Sequence, residues 1–341
     1  MPAAADGAPT AAPGTDPTRR RALGIGFGVL AVPVIGAAAF QSVRAAEQGP
    51  DVRANLTLIA PAAAGGGWDL FQREMQAAMR TNGLVGNVQV LNVPGADGTI
   101  ATGSLEQRST AGYLMVGGTG HLAAEAQRDA PAKLSEVTPV ARVIEEYAIV
   151  TVPADSPYED LQSLVDAWLE DPKALAWTGG GSSDQMVMTE LALAAEVDPA
   201  ETTWIPSDGG GEAIQAMLNG SAEASTGGFA DMYPQVESGR LRALGIAAKE
   251  RLDGVDVPTM TEQGFDVTLT NWRAVFAPPI ADEDQLADFR ALIEETTATK
   301  EWKAAVKRNY WVEFPATGQE LQDFIDAERT KIGRLIKEMT S

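Results

Sequence analysis

The stretch Leu56–Met75, LTLIAPAAAGGGWDLFQREM, decides the fold that this sequence predicts. Its first apolar run ends at Pro61, and three glycines, Gly65–Gly67, then lead into Trp68 and Asp69, where a helical pattern begins. A strand, a glycine loop and a helix N-terminus in this order gather unpaired backbone N–H groups around one point, and these donors favour an anion. A single loop of this kind is a common strand–helix turn, so the prediction depends on its repetition.

The same layout recurs four times further along the chain. The predicted strands are Asn87–Val93, Tyr113–Val116, Ala174–Trp177 and Thr202–Ile205. The loops that follow them are Pro94–Thr99, Gly117–His121, Thr178–Asp184 and Pro206–Gly211. Each loop lies where a parallel strand passes to a helix, which is the edge at which open α/β sheets bind ligands. The pattern therefore predicts an α/β protein with a ligand site built from several glycine loops.

Two further apolar strands, Tyr147–Pro153 and Trp272–Pro278, both end in proline and precede a polar turn and a helix start. We interpret them as two crossover hinge strands between two lobes. Lobe I then contains 51–147 plus 278–341, and lobe II contains 148–273. A hinge of this kind places a cleft between the lobes, and closure of the cleft buries the ligand.

The composition excludes several classes of protein and site. The 341 residues are 45% hydrophobic and 21% charged, as in a globular protein, and the formal net charge of −21 disfavours binding to nucleic acid or anionic membranes. The absence of cysteine excludes disulfides and zinc–thiolate sites. The single histidine, His121, excludes a site with several histidine ligands, so we expect neither a metal nor a cofactor.

The N-terminal region has the pattern of an export signal. We predict a disordered tail over 1–18, because these residues are rich in Ala, Pro, Gly and Thr. Three arginines precede the charge-free run Ala22–Phe40, whose 19 residues would span roughly 28 Å as a helix. Residues 19–46 are therefore either a cleaved signal peptide or a retained membrane anchor. Under both alternatives the arginines place the rest of the chain outside the cytoplasm.

Ordered motifs over about 55–340 resemble those of one family, the extracytoplasmic solute receptors of tripartite tricarboxylate transporters. The similar segments are Ala60–Asp69, Asn92–Thr99, Gly239–Ile246, Val257–Gly264 and Trp272–Pro279. The resemblance implies a two-lobe, Venus-flytrap fold of the type II periplasmic-binding-protein kind. It also implies a monomeric receptor without catalytic residues, which captures a carboxylate metabolite, such as citrate or a related organic acid, and delivers it to the membrane subunits of a transporter.

The resemblance also implies a set of ligand-binding positions, in which backbone amides and small hydroxyls hold a carboxylate. Carried over by position, these residues are Gly66, Gly67, Trp68, Asp69, Thr119, Gly120, Gly180, Gly181, Ser182 and Ser183. His121 and Asp208 are added as further candidates from their places in glycine loops. Asp97 stands where the family usually has glycine, which leaves the choice of ligand open.

Structural roles compete with ligand binding at several of these positions. Asp69, Ser182 and Ser183 are suited to capping the helices that follow them. His121 is either a donor to the ligand or an ordinary surface histidine. Arg273 either neutralises a ligand carboxylate or forms a structural ion pair.

Enzyme classes fit the sequence poorly, and a sensor fits it as an alternative. A hydrolase would need a nucleophile elbow, which the Gly181–Ser183 region lacks, and only His121 could serve as its base. The loop at Gly118–Gly120 lacks the third glycine of a dinucleotide fingerprint and the lysine of a P-loop. A ligand-sensing ectodomain that docks onto a signalling kinase shares the binding physics of a receptor and differs only in its partner.

Overall fold

The computed structural model describes residues 51–127, 130, 132–207 and 209–340. The predicted tail and export signal, and the candidate Asp208, lie outside the described residues. The strands are β1 (Asn55–Ala60), β2 (Asn87–Asn92), β3 (Tyr113–Gly118), β4 (Thr138–Glu146), β5 (Ala148–Pro153), β6 (Trp177–Gly179), β7 (Trp204–Pro206), β8 (Ala224–Gly228), β9 (Leu241–Ile246), β10 (Asn271–Ala277) and β11 (Val312–Thr317). The helices are α1 (Gly67–Thr81), α2 (Thr99–Glu106), α3 (Thr119–Gln127), α4 (Leu161–Glu170), α5 (Ser182–Ala194), α6 (Gly210–Leu218), α7 (Phe229–Glu237), α8 (Glu283–Thr297), α9 (Lys300–Arg308) and α10 (Gly318–Thr340).

The strands form two mixed sheets. The first has the order β11-β4-β10-β3-β1-β2, and the second has the order β7-β6-β8-β5-β9. In the first sheet β1, β2 and β3 are parallel, whereas β10 runs antiparallel to both of its neighbours. In the second sheet β6, β7 and β8 are parallel, and β5 runs antiparallel to β8 and β9. The predicted two-lobe α/β fold, in which each lobe contains a sheet, is confirmed.

The two predicted crossover strands lie in the middle of different sheets. β5 belongs to the second sheet, and only Tyr147 separates it from β4 of the first. β10 pairs with β3 and β4 from Asn271 onward, so the chain has returned to the first sheet by that residue. The segment 247–270 therefore makes the return from the second sheet to the first.

The strands β6 and β7 extend further toward the loops than the pattern predicts. Thr178 pairs with Ile205, and Gly179 pairs with Pro206. Glycine and proline were interpreted as loop signals at these positions, but backbone pairing extends through both residues. The predicted strands Ala174–Trp177 and Thr202–Ile205 thus start three and two residues too early, respectively.

The helix that follows the first glycine loop is held by its apolar side chains. Phe71, Met75, Ala78 and Met79 of α1 are buried, with the spacing of one helix face, and they pack with the apolar side chains of the first sheet. This packing fixes the direction of α1 and so directs its N-terminus toward the edge of the sheet.

The C-terminal helix α10 contacts helices from both halves of the fold, α3 and α5. Its buried residues Leu321, Ile325, Ile332 and Leu335 share one apolar cluster with residues of both sheets. Lys331 Nζ lies 2.6 Å from Glu190 Oε1 on α5, and Glu190 Oε2 accepts a hydrogen bond of 2.7 Å from the backbone of Leu269. α10 therefore ties α5 and the return segment to the first sheet. Among the described residues, no helix has the length and apolar character needed to cross a bilayer.

Candidate functional site

A cavity of about 620 Å³ lies at the carboxyl ends of the parallel strands of both sheets, where the helix N-termini converge. The residues that line it are Ala62–Trp68, Leu70, Asp97, Gly120, Glu146, Gly180–Asp184, Gly209–Glu212, Gly228, Ala230, Asp231, Asn271, Arg273 and Trp311. The first sheet and its loops provide one side, and the loops after β6, β7 and β8 provide the other. The volume is typical of a small-molecule site.

The first glycine loop ends at Gly66, the N-cap of α1, and Gly65 has a φ of +91° that favours glycine. The backbone N–H groups of the first turn have no acceptor within the helix, so they are available to an anion in the cavity. Asp69 does not line the cavity and is only 2% exposed. Its carboxylate accepts hydrogen bonds from Gly65 N (2.8 Å), Asn92 Nδ2 (2.8 Å) and Arg73 Nε (2.8 Å). Asp69 thus stabilises the conformation of the glycine loop from outside the cavity.

The environment of Asp69 keeps it ionised. Burial by itself raises the pKa of this carboxyl, but the bonds from Arg73, Gly65 and Asn92 outweigh burial and hold the pKa below its ordinary value. The charge of Asp69 is therefore neutralised by Arg73 before any ligand arrives.

The second glycine loop, Gly180–Ser183, repeats this arrangement in the other half. Gly181 is the N-cap of α5, and Asp184 Oδ2 accepts a hydrogen bond of 2.7 Å from Gly180 N. A Cβ on Gly180 would lie 2.6 Å from Gly210 N, so only glycine allows the loops before α5 and α6 to pack this closely. The two loops thereby present their amides to the same cavity.

Asp184 differs from Asp69 in its electrostatic surroundings. Burial raises the pKa of Asp184 to about 7; the hydrogen bond from Gly180 N opposes the increase, and the nearby carboxylates Glu146 and Asp231 add to it. Asp184 lines the cavity, whereas Asp69 does not. The second loop therefore presents a carboxyl group that titrates near neutral pH.

One position is acidic in all four helices that begin at these loops. The N-caps Gly66, Gly181, Gly209 and Gly228 are each followed three residues later by Asp69, Asp184, Glu212 and Asp231, respectively. A carboxylate in the first turn of a helix interacts favourably with the helix dipole. It also competes for the donors that would hold an anionic ligand, and three of these four carboxylates line the cavity.

Arg273 is the only cationic side chain among the described residues that line the cavity. It is 3% exposed, and it donates from Nη2 to Glu146 Oε2 at 2.6 Å and from Nη1 to the Gly67 carbonyl at 3.2 Å. Burial raises the pKa of Glu146; Arg273 opposes this increase and Asp231 adds to it. Of the two roles considered for Arg273, the structure shows the ion pair, at the wall of the cavity.

Trp68 and Gly120 form part of the wall, and His121 lies behind them. The Trp68 and His121 ring centroids are 4.7 Å apart. His121 is fully buried, its imidazole contacts Gly98, and burial lowers its pKa to about 3. His121 is thus a buried, neutral packing residue and not the surface histidine that was one of its two interpretations.

The structure gathers most of the sequence-predicted positions around the cavity and places three of them behind it. Gly66, Gly67, Trp68, Gly120, Gly180, Gly181, Ser182 and Ser183 line the cavity. Asp69, Thr119 and His121 do not. Thr119 is buried because its hydroxyl donates to the Thr270 carbonyl at 2.9 Å and accepts from Trp272 N at 3.2 Å, which joins α3 to β10.

Besides Asp97 and Arg273, whose roles the sequence left open, five charged or aromatic lining residues were not selected as candidates: Glu146, Asp184, Glu212, Asp231 and Trp311. Asp184 and Asp231 could have been found from their shared place three residues after an N-cap glycine. Glu146 could not, because it ends a strand in a pair with Glu145 and nothing in the sequence shows which of the two faces the cavity. Among the described residues, no group of three or more His, Cys, Asp or Glu side chains is placed to hold a metal ion.

Comparison with known proteins gives one family and one fold. A profile described as "Tripartite tricarboxylate transporter family receptor" (TctC) matches residues 71–340. Protein BugT of Bordetella pertussis is 25% identical over 291 residues, which are 83% of this chain and 88% of BugT.

Two solved structures share the fold at low sequence identity. MatC (Rpa3494) from Rhodopseudomonas palustris, solved with bound malate, has a TM-score of 0.70 and 23% identity, and covers 83% of this chain and 98% of its own. R. palustris Rpa4515, solved with adipate, has a TM-score of 0.75 and 18% identity, and covers 84% of this chain and 97% of its own.

Proposed function

The chain belongs to the tripartite tricarboxylate transporter receptor family, whose members are non-enzymatic solute-binding proteins, and we propose that it captures an organic carboxylate in the cavity between its two sheets. One observation carries the proposal: N-termini of helices from both halves, α1 on one side and α5 and α6 on the other, converge on one cavity. Unpaired amides at helix N-termini are a general anion-binding device.

The ligand-contacting groups in this proposal are the backbone amides of the two main loops. Gly67 and Trp68 donate from the first loop, which Gly66 lines with its own N–H held by the Ala63 carbonyl at 3.3 Å. Gly181, Ser182 and Ser183 donate from the second loop, where the hydroxyls add further donors. Gly120 and the Trp68 side chain bound the cavity on the side of the first sheet. Asp208, a candidate from the sequence, stays a prediction.

The two halves form a closing pair of lobes in this proposal. Residues 51–147 and the chain after the return segment make up lobe I, and the residues from 148 to that segment make up lobe II. The pairing of Asn271–Arg273 in the first sheet supports a second crossing within 247–270, a few residues before the boundary at 273 that the sequence pattern favours. Closure brings the α5 and α6 loops toward the α1 loop around the ligand.

The physiological role in this proposal is delivery of the solute to the membrane subunits of a tripartite tricarboxylate transporter, outside the cytoplasm. Family membership supports this role. The two similar structures that contain malate and adipate support a small organic acid as ligand. Citrate is one member of this class.

A thermal-shift screen tests the proposal directly. Binding to the native state raises the melting temperature by mass action, so a ligand at about 100 times its Kd adds roughly 2.7 kcal/mol of stability. The screen compares citrate, shorter and longer dicarboxylates, acidic amino acids and uncharged controls of similar size. We expect shifts from carboxylates alone, and recovery of the ligand unaltered after incubation. Shifts produced only by uncharged compounds would contradict the proposal.

A further inference from the structure

The charge of the cavity wall differs from what a pure anion site would require. The described lining residues include five carboxylates, Asp97, Glu146, Asp184, Glu212 and Asp231, and one cation, Arg273. Arg273 is already engaged with Glu146 at 2.6 Å and with the Gly67 carbonyl. Its charge is thus shared with a protein carboxylate before a ligand enters.

Three of these carboxylates belong to one electrostatic group. Glu146 and Asp231 both increase the proton affinity of Asp184, and Asp231 does the same to Glu146. The carboxylates of Glu146 and Asp231 approach each other above Gly228, where a Cβ would lie 3.1 Å from Glu146 Oε1 and 3.7 Å from Asp231 Oδ2. We name Glu146, Asp184 and Asp231 the acidic wall.

Arg273, which pairs with Glu146 of the acidic wall, also has one buried donor without a partner among the described residues. Arg273 lines the cavity and is 3% exposed, and its Nε has no hydrogen-bond partner among the described residues. An unpartnered buried N–H indicates a missing acceptor. The same cavity therefore has amide donors at the helix N-termini and carboxyl groups, at Asp184 and Asp231 among others, that outnumber its single cation.

We propose that the ligand is an ammonium carboxylate, whose carboxylate binds at the helix N-termini and whose ammonium group binds at the acidic wall. This inference rests on the proposed function, because it assigns a second recognition element to the same cavity. A carboxylate ligand of the same length without an amino group would leave Asp184 and Asp231 without a counter-charge. An ammonium group would neutralise them, since it provides three donors and a positive charge.

Matched pairs of ligands that differ only in the amino group test this inference. Isothermal titration calorimetry at pH 7.5 compares succinate with aspartate, glutarate with glutamate, and adipate with 2-aminoadipate. We expect the amino member of at least one pair to bind ten times more tightly, or better, than its partner. A dicarboxylate that binds as tightly as its amino counterpart in every pair overturns the inference and leaves the proposed function standing.

Two variants connect the preference to the acidic wall. The Asp231→Asn variant is expected to bind the amino ligand at least tenfold more weakly and the matching dicarboxylate more tightly than the wild type does. Glu237→Gln removes the same charge from the exposed end of α7, outside the cavity, and should change neither affinity. Equal effects of the two variants would overturn the inference, because the preference would then follow net charge alone.

The remaining outcomes separate this inference from the proposed function and from a metal complex. Tight binding of citrate or another carboxylate only when Ca²⁺ or Mg²⁺ is added would identify a metal-bound carboxylate as the ligand and overturn the ammonium assignment. Binding of uncharged solutes without any carboxylate would contradict the proposed function itself.

Discussion

Asp69 and Asp184 occupy the same position in the two halves of the molecule, three residues after an N-cap glycine, and each accepts a hydrogen bond from the glycine before that cap. The distances are 2.8 Å from Gly65 N to Asp69 Oδ2 and 2.7 Å from Gly180 N to Asp184 Oδ2. Arg73 neutralises Asp69 and Asn92 donates a hydrogen bond to it, whereas Asp184 has carboxylates for neighbours. The two positions therefore have pKa values shifted in opposite directions.

These opposite shifts predict opposite effects of amide substitution on stability. The pKa of Asp184 is about 7 in the folded protein and ordinarily near 3.8, so the folded state binds more protons in this window. The free energy of unfolding then falls as pH rises from about 4 to 7 on account of this group. We expect Asp184→Asn to be about 1–3 kcal/mol more stable than the wild type at pH 8 and equal to it near pH 4. Urea denaturation at a series of pH values measures the difference.

Asp69→Asn provides the matched control with the reverse sign. The pKa of Asp69 is lowered by its bonds, so its stabilisation is complete above the unfolded pKa and is lost as pH falls through the folded value. Asp69→Asn should be destabilised at pH 7 and approach the wild type in acid. Parallel pH profiles for the two variants would contradict the assigned environments.

The ion pair of Arg273 with Glu146 predicts a non-additive pair of substitutions. Arg273→Met leaves Glu146 buried without its partner, and loss of one member of a buried pair costs about 3–5 kcal/mol. The double variant Arg273→Met with Glu146→Gln removes the uncompensated charge and should recover most of that loss. Chemical denaturation of the two single variants and the double variant measures the coupling. Additive losses would show that the pair is not coupled.

We expect the Gly181→Asp substitution to weaken ligand binding while the protein still folds. A Cβ at Gly181 would meet no atom within 4 Å, so the side chain fits. Its carboxylate stands at the N-terminus of α5 and competes with a ligand carboxylate for the same amides. We expect at least tenfold weaker binding, about 1.4 kcal/mol, of whichever carboxylate binds the wild type. Gly333→Asp on α10, also in open space and outside the cavity, should bind normally. Unchanged affinity in Gly181→Asp would remove this loop from the site.

The single histidine predicts a simple spectroscopic result. Burial lowers the pKa of His121 to about 3, so the imidazole stays neutral throughout the range from pH 5 to 8. The Hε1 chemical shift of the folded protein should be constant over this range. The same proton in urea-unfolded protein should titrate near pH 6.5 and serves as the internal control. A midpoint near 6 in the folded protein would contradict the buried placement against Trp68.

The positions of the glycine loops could be predicted from the sequence because glycine, turn and helix-start signals are local. The glycine runs before Trp68 and Ser182 predict strand–helix turns, and both turns lie at the cavity. The two apolar strands that end in proline predicted a chain that passes between two lobes, and the structure has two sheets. Strand ends were less accurate, since Gly179 and Pro206 pair within a ladder although both residue types usually mark loops.

The acidic wall could not be predicted because it depends on contacts between distant segments. Glu146, Asp184 and Asp231 come from three elements, and only the fold of both sheets brings their charges together. The two roles of Arg273 were likewise open until the pairing of β10 with β4 placed it diagonally across from Glu146. Local sequence patterns therefore predict the backbone donors of this site, whereas the charge of its wall follows only from the tertiary structure.

The position of α10 also has a consequence for biosynthesis. This helix follows every other described strand and helix along the chain, and it packs against α3 and α5, which come from opposite halves. Until the residues of α10 leave the ribosome, the apolar side chains that α10 covers stay exposed to water on both halves. A nascent chain at that stage exposes a continuous apolar surface, which is the kind of surface that holding chaperones bind.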